Sequence, residues 1–106
     1  MDYIQLFKML ANEHRLNILL WLKKPVESYK IYADTDVRLH ALQNEFGVCV
    51  GLIQQRTGLS QPTVSNYLKQ MEKAGLVVSK RCGMWTHYAR NEATLKQLAQ
   101  FISQEL

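Results

Sequence analysis

The most restrictive pattern in this chain lies between Gly58 and Gly75. Val50, Leu52 and Ile53 begin a short helix, and Gly58 ends it, because glycine adopts the left-handed backbone of a helix terminus at little cost. Ser60 follows as an N-cap whose hydroxyl accepts from a backbone N–H left open at a helix start. Pro62 falls in the first turn, where its missing N–H does no harm. Val64, Leu68 and Met71 then recur at the spacing of one helical face, and Ala74 and Gly75 close the segment. Two helices joined by a turn of three or four residues predict a helix-turn-helix.

The flanking segments complete an architecture. Leu76, Val77 and Val78 read as a strand, Lys80, Arg81, Cys82, Gly83 and Met84 as a hairpin tip, and Trp85–Arg90 as the returning strand. Upstream, Tyr3, Leu6, Phe7 and Leu10 share a helical face within 3–11, and Leu16, Leu19, Leu20, Trp21 and Leu22 mark a second helix that stops at Pro25. Residues 26–46 are ambiguous. Leu39, Leu42 and Phe46 fit a helical face while Val37, Leu39 and Ala41 alternate as in a strand; a short helix ending near Gly47 is the expectation. The last segment, 92–106, is amphipathic through Leu95, Leu98, Ala99, Ile102 and Leu106. The predicted fold class is mainly α: one winged helix-turn-helix domain over 1–106, with the helix-turn-helix near 49–74 and a two-stranded hairpin wing near 76–90.

Charge placement narrows the function. Of 13 bases and 9 acids, residues 51–90 hold six bases (Arg56, Lys69, Lys73, Lys80, Arg81, Arg90) against Glu72 alone, a net of +5. The other seven bases and eight acids leave −1 elsewhere. Such a stretch suits a polyanion, since cation–phosphate contact releases condensed counterions. At 47% hydrophobic and 21% charged the 106 residues are ordinary globular usage, with room for one domain. The apolar runs are too short to span a bilayer, and no basic segment leads into an apolar one after Met1, so a cytoplasmic address is expected.

With Val64, Leu68 and Met71 inward, Gln61, Thr63, Ser65, Asn66 and Lys69 face solvent or the helix flank. Gln or Asn pairs bidentately with adenine, and Ser or Thr donates or accepts, so this row suits base edges of duplex DNA. A merely soluble helix face is more often rich in Glu and Lys. Lys69 and Lys73 would meet phosphates, as would open N–H groups at the helix start. Lys80 and Arg81 on the wing would grip phosphate or enter the minor groove. Trp85 and Tyr88 are read as packing the wing on the body rather than stacking bases. The rival from another class is a winged module whose 61–69 face docks protein or RNA. No nucleophile elbow, HExxH, phosphate-cradling glycine loop or convincing acid pair supports catalysis.

The run Gly58-Leu59-Ser60-Gln61-Pro62-Thr63-Val64-Ser65-Asn66-Tyr67-Leu68-Lys69, then Ala74-Gly75-Leu76-Val77, resembles the ArsR family of bacterial winged-helix repressors. The upstream residues 7–19 and the wing residues 80–88 are similar to that family in style, while 25–46 is longer than its usual connection. The resemblance implies a homodimer formed by the first and last helices (about 2–11 and 92–105), and Leu6, Leu10, Leu98, Ile102 and Leu106 offer the apolar stripe for it. It implies repression by operator occupancy, with release on inducer binding or thiol modification. The family's metal-ligand sets are incomplete here, so no cofactor is expected. Cys49 fills the first place of a family cysteine pair but Gly51 stands at the second, the last helix has no histidine, and His14, His40 and His87 show no ligand spacing. Cys49 and Cys82 are weighed as a thiol sensor. Family members of that kind pair cysteines on the second and last helices, whereas Cys82 is in the wing. Cys49, between Val48 and Val50, reads better as a small buried hydrophobe.

Overall fold

Side-chain caps start four of the five helices described in the computed structural model, which describes residues 1–24 and 46–106. Asp2 caps α1 (Tyr3–Leu10) by accepting from Gln5 N–H at 3.0 Å. Asn12 caps α2 (Glu13–Lys23) by accepting from the amides of His14 and Arg15. A two-residue strand β1 (Val48–Cys49) runs directly into α3 (Val50–Thr57), which ends at Gly58 with φ +72°. Ser60 Oγ caps α4 (Gln61–Lys73) through the Thr63 amide, with Pro62 in the first turn. At its far end the amides of Gly75 and Leu76 return to the carbonyls of Glu72 and Met71 at 3.0 and 2.9 Å. That pair of bonds is a Schellman closure around a left-handed Gly75 (φ +87°), and it turns the chain straight into the sheet.

The sheet is the main departure from expectation. β2 (Val77–Cys82) and β3 (Trp85–Arg90) form the wing hairpin, but β1 adds a third antiparallel strand in the order β1-β3-β2. Val48 pairs with Tyr88 and Cys49 with His87. The hairpin tip narrows to Gly83 and Met84, since Cys82 already pairs with Trp85. The chain ends in α5 (Glu92–Glu105), capped by Asn91. The expectations for 26–46 lie outside the described residues for positions 26–45.

The core gathers Ile18, Leu52, Ile53, Val64, Leu68, Met71, Leu76 and the inner strand ends Val48 and Val77. The expected stripe of α2 divides: Ile18, Leu19 and Leu22 are buried, whereas Leu16 (41%) and Leu20 (57%) face outward. Tyr88 packs the wing on the body, being buried, with Trp85 half-buried against the core. Tyr3 stacks on Phe101 (centroids 3.8 Å, 10° between planes) and Phe7 tilts against the same ring, so α1 and α5 form one aromatic-bonded unit.

Two glycines separate packing from propensity. A Cβ on Gly47 would strike the Tyr88 carbonyl oxygen and lie 2.7 Å from its carbon, whereas one on Gly51 of α3 meets nothing within 4 Å. Gly47→Ala is expected to lower stability by about 1–3 kcal/mol through backbone overlap. Gly51→Ala should leave it unchanged or raise it by up to ~1 kcal/mol. Urea unfolding of both variants checks the pair; equal midpoints would contradict the close approach.

Candidate nucleic-acid interface

The roll of α4 is set by its buried edge. Val64, Leu68 and Met71 each have 0% exposure, which turns Gln61, Thr63, Asn66, Lys69 and Lys73 to solvent, with Ser65 half-buried on the flank. Thr63 has a second task, because its hydroxyl shares a 2.8 Å hydrogen bond with Ser60 Oγ at the cap. The helix start offers less to a phosphate than the sequence suggests. Pro62 has no N–H, Thr63 donates to Ser60 Oγ and Val64 to Ser60 O. Among the described residues, Gln61 has the one first-turn amide with no intramolecular acceptor.

The basic stretch also sorts itself. The Arg56 guanidinium lies 4.6 Å over the Trp21 ring, and Arg90 is ion-paired to Glu92 at 3.0 Å. Lys69, Lys73, Lys80 and Arg81 remain exposed, Lys69 and Lys73 one turn apart on α4. Lys80 pairs across the hairpin with His87 and Arg81 with Thr86, so the two bases leave opposite faces of the ribbon. Arg81 Nε donates to Gly83 O at 3.1 Å, laying the guanidinium along the turn. At the tip itself stands Met84, 79% exposed. Sequence reasoning noted Met84 as part of the tip without a role; its signal was a large apolar residue after a turn glycine.

Comparison with known proteins agrees with this geometry. A family model described as MarR family matches residues 39–84, the span of the helix-turn-helix and most of the wing. An uncharacterised HTH-type transcriptional regulator of Bacillus subtilis, YbzH, is 38% identical over the full length of both chains. The arsenical resistance operon repressor of Escherichia coli is 32% identical over 80% of this chain and 56% of its own length. A solved Mycobacterium bovis structure superposes with a TM-score of 0.62 at 26% identity, covering 98% of this chain and 81% of that one. It is a homodimeric winged helix-turn-helix DNA-binding domain described as a "possible ArsR-family transcriptional regulator". This chain belongs to the ArsR family of winged helix-turn-helix transcriptional regulators.

Within this ArsR-family chain the expected dimer residues separate into two kinds. Leu6 (1%) and Leu98 (4%) are buried by their own chain and present almost no surface to a partner, which corrects their assignment. Leu10 is half-buried, while Ile102 (46%) and Leu106 (82%) are exposed, joined by Ile4 (66%), which the sequence reading passed over. No helix among the described residues is long and apolar enough to cross a membrane.

The two cysteines are free and well apart. Cys49 is buried and lies opposite His87, while Cys82 is two strands over and two residues along. Strand spacing and rise then place their Cα atoms on the order of 12 Å apart, beyond the roughly 7 Å limit for a disulfide. An intramolecular Cys49–Cys82 bond would need the sheet to come apart. Among the described residues no group of three or more His, Cys, Asp or Glu side chains is placed to hold a metal ion.

His87 is the buried polar exception. It is 2% exposed, and neither ring nitrogen has a hydrogen-bond partner. Burial pushes its pKa below the ordinary 6.5, opposed weakly by the Trp85 backbone. Burial, and then the charge of Glu72, pushes the Tyr88 phenol up. Because folded His87 resists a proton that the unfolded chain accepts, no protonation penalty arises above about pH 6.5, and stability is lost as pH falls below that value. The thermal midpoint should therefore drop between pH 7.5 and 5.5, and drop less in His87→Phe, whose ring takes up no proton. Parallel pH profiles for the two proteins would contradict the assignment.

Proposed function

We propose that this protein is a dimeric repressor that occupies a palindromic DNA operator, reading bases with Gln61, Ser65 and Asn66 and holding phosphates with Lys69, Lys73, Lys80 and Arg81. One observation carries the reading: an exposed amide and hydroxyl row lies directly over a fully buried Val64–Leu68–Met71 edge, flanked by exposed cations on α4 and the wing. Thr63 contributes mainly through the cap it completes with Ser60. The homodimeric state of the Mycobacterium bovis domain supports self-association, and the exposed apolar side chains of α1 and α5 point to pairing through those helices, with Leu10, Ile102 and Leu106 as contact residues beside Ile4. Two-fold pairing would set the two reading helices on half-sites about one turn of DNA apart.

The reading assigns the chain no catalytic step and no resident cofactor, and it places the protein in the cytoplasm with its DNA. Release by an inducer, or by modification of a thiol, fits a repressor of this kind. Of the two thiols, half-buried Cys82 on the wing is the more accessible. Its modification would act where Arg81 and Lys80 approach the duplex.

Selection from random duplex DNA should return a palindrome. Gln61→Ala or Asn66→Ala should each weaken binding to it by about 5- to 150-fold, the equivalent of ~1–3 kcal/mol per bidentate base contact. Non-specific affinity should hardly change. Lys69→Ala and Lys73→Ala should weaken all duplexes and each lower the salt slope by about one. If the Gln61 and Asn66 variants keep full affinity for the selected site, or if only non-specific affinity falls, the 61–69 face does not read bases and docking of protein or RNA becomes the better account.

A further inference from the structure

Arg15, the third residue of α2, joins helices that otherwise stand apart. Its Nε donates to the Met9 carbonyl at 2.7 Å and its Nη2 to the Lys8 carbonyl at 3.2 Å. Both acceptors belong to the last turn of α1, where helical carbonyls are left short of amide partners; the Lys8 carbonyl also accepts from the Ala11 amide at 3.3 Å. On the other side Nη1 donates to Gln70 Oε1 on α4 at 3.2 Å, and the guanidinium carbon sits 5.6 Å from the Tyr67 ring centre, also on α4. His14 lies near-parallel to that same ring at 6.2 Å. Away from this bridge α1 and α4 face each other across an open groove of about 650 Å³, lined by Met1, Asp2, Gln5, Met9, Gln70 and Lys73. A planar fork with donors in fixed directions holds both a distance and an angle, which a lysine ammonium does not.

From this geometry we infer that Arg15 is a positioning residue: it fixes where the reading helix α4 stands relative to α1, and so sets the separation of the two reading helices in the dimer. α1 is itself locked to α5 by the Tyr3, Phe7 and Phe101 rings, so Arg15 joins the pairing unit to the reading unit. The inference rests on the dimeric DNA-reading function proposed above. In a two-fold dimer any displacement of α4 in one protomer is repeated in the other. Inserting or deleting one base pair between half-sites shifts them by about 3.4 Å and rotates them by roughly 35°. A rigid bridge makes that mismatch costly, and a loosened bridge accommodates it.

The test uses the full chain and three duplexes: the selected palindrome and versions with one base pair added or removed at its centre. Wild type should bind the altered duplexes at least about tenfold more weakly. Arg15→Lys, Arg15→Met and Gln70→Met should shrink that ratio below about threefold while sedimentation still shows a dimer and thermal unfolding stays cooperative. Gln70→Glu keeps an acceptor for Nη1 and should keep the ratio. Gln70→Met removes only the α4 leg and leaves the α1 carbonyls bonded, so the test does not depend on the Arg15 variants folding. Variants that lose affinity equally on all three duplexes, with the ratio intact, would overturn the positioning role and leave Arg15 as a structural tie. A wild type indifferent to spacing would instead overturn the dimeric reading on which the inference stands.

Discussion

The burial of one edge of α4 decides the rest of this molecule. Val64, Leu68 and Met71 are completely withdrawn from water against α2, α3 and the strands. Each such side chain stabilises the fold by roughly 1.5–3 kcal/mol as an upper estimate. Together they are comparable to the whole net stability of a small domain, about 5–15 kcal/mol. The helix therefore has one acceptable roll, since a shift of a single residue turns it by about 100° and would put polar side chains into the core. Gln61, Asn66 and Lys69 are outward because these three are inward. The outward-facing chemistry is a consequence of the core.

The closures at the two ends of α4 make that roll useful. Gly58 and Ser60 aim the helix start away from α3, and the Schellman bonds around Gly75 send Leu76 into the core and Val77 straight into β2. Three residues thus separate the end of α4 from the wing, and Ser79 Oγ of β2 donates to Glu72 of α4. β1 completes the arrangement from the other side. Its pairing with His87 and Tyr88 ties the start of α3 to the central strand of the sheet. Gly47 permits this by letting the chain pass against the Tyr88 carbonyl.

What sequence reasoning recovered follows from how local each signal is. The N-cap at Ser60, the left-handed Gly58, the glycine stop at Gly75 and the 64–68–71 period all act within a few residues, and each appears in the structure as expected. β1 escaped because two residues cannot display an alternation. Leu6 and Leu98 were assigned to a subunit contact because periodicity identifies an apolar face without saying what covers it; here the chain covers both itself. Leu16 and Leu20 failed in the opposite sense, lying on an apolar helix whose buried face is carried by Ile18, Leu19 and Leu22. Arg15 to Gln70 and Tyr3 to Phe101 are contacts of long sequence separation. No local pattern announces them.

The most direct measurement is an amide nuclear magnetic resonance titration of the full chain with a duplex carrying its selected palindrome. The account predicts that the largest shift changes and broadening fall on Gln61, Thr63, Ser65, Asn66 and Lys69, with a second group at Lys80, Arg81 and Met84, while Leu52 and Leu98 scarcely respond. A response centred on the groove between α1 and α4, or on α5, with the start of α4 unmoved, would contradict it.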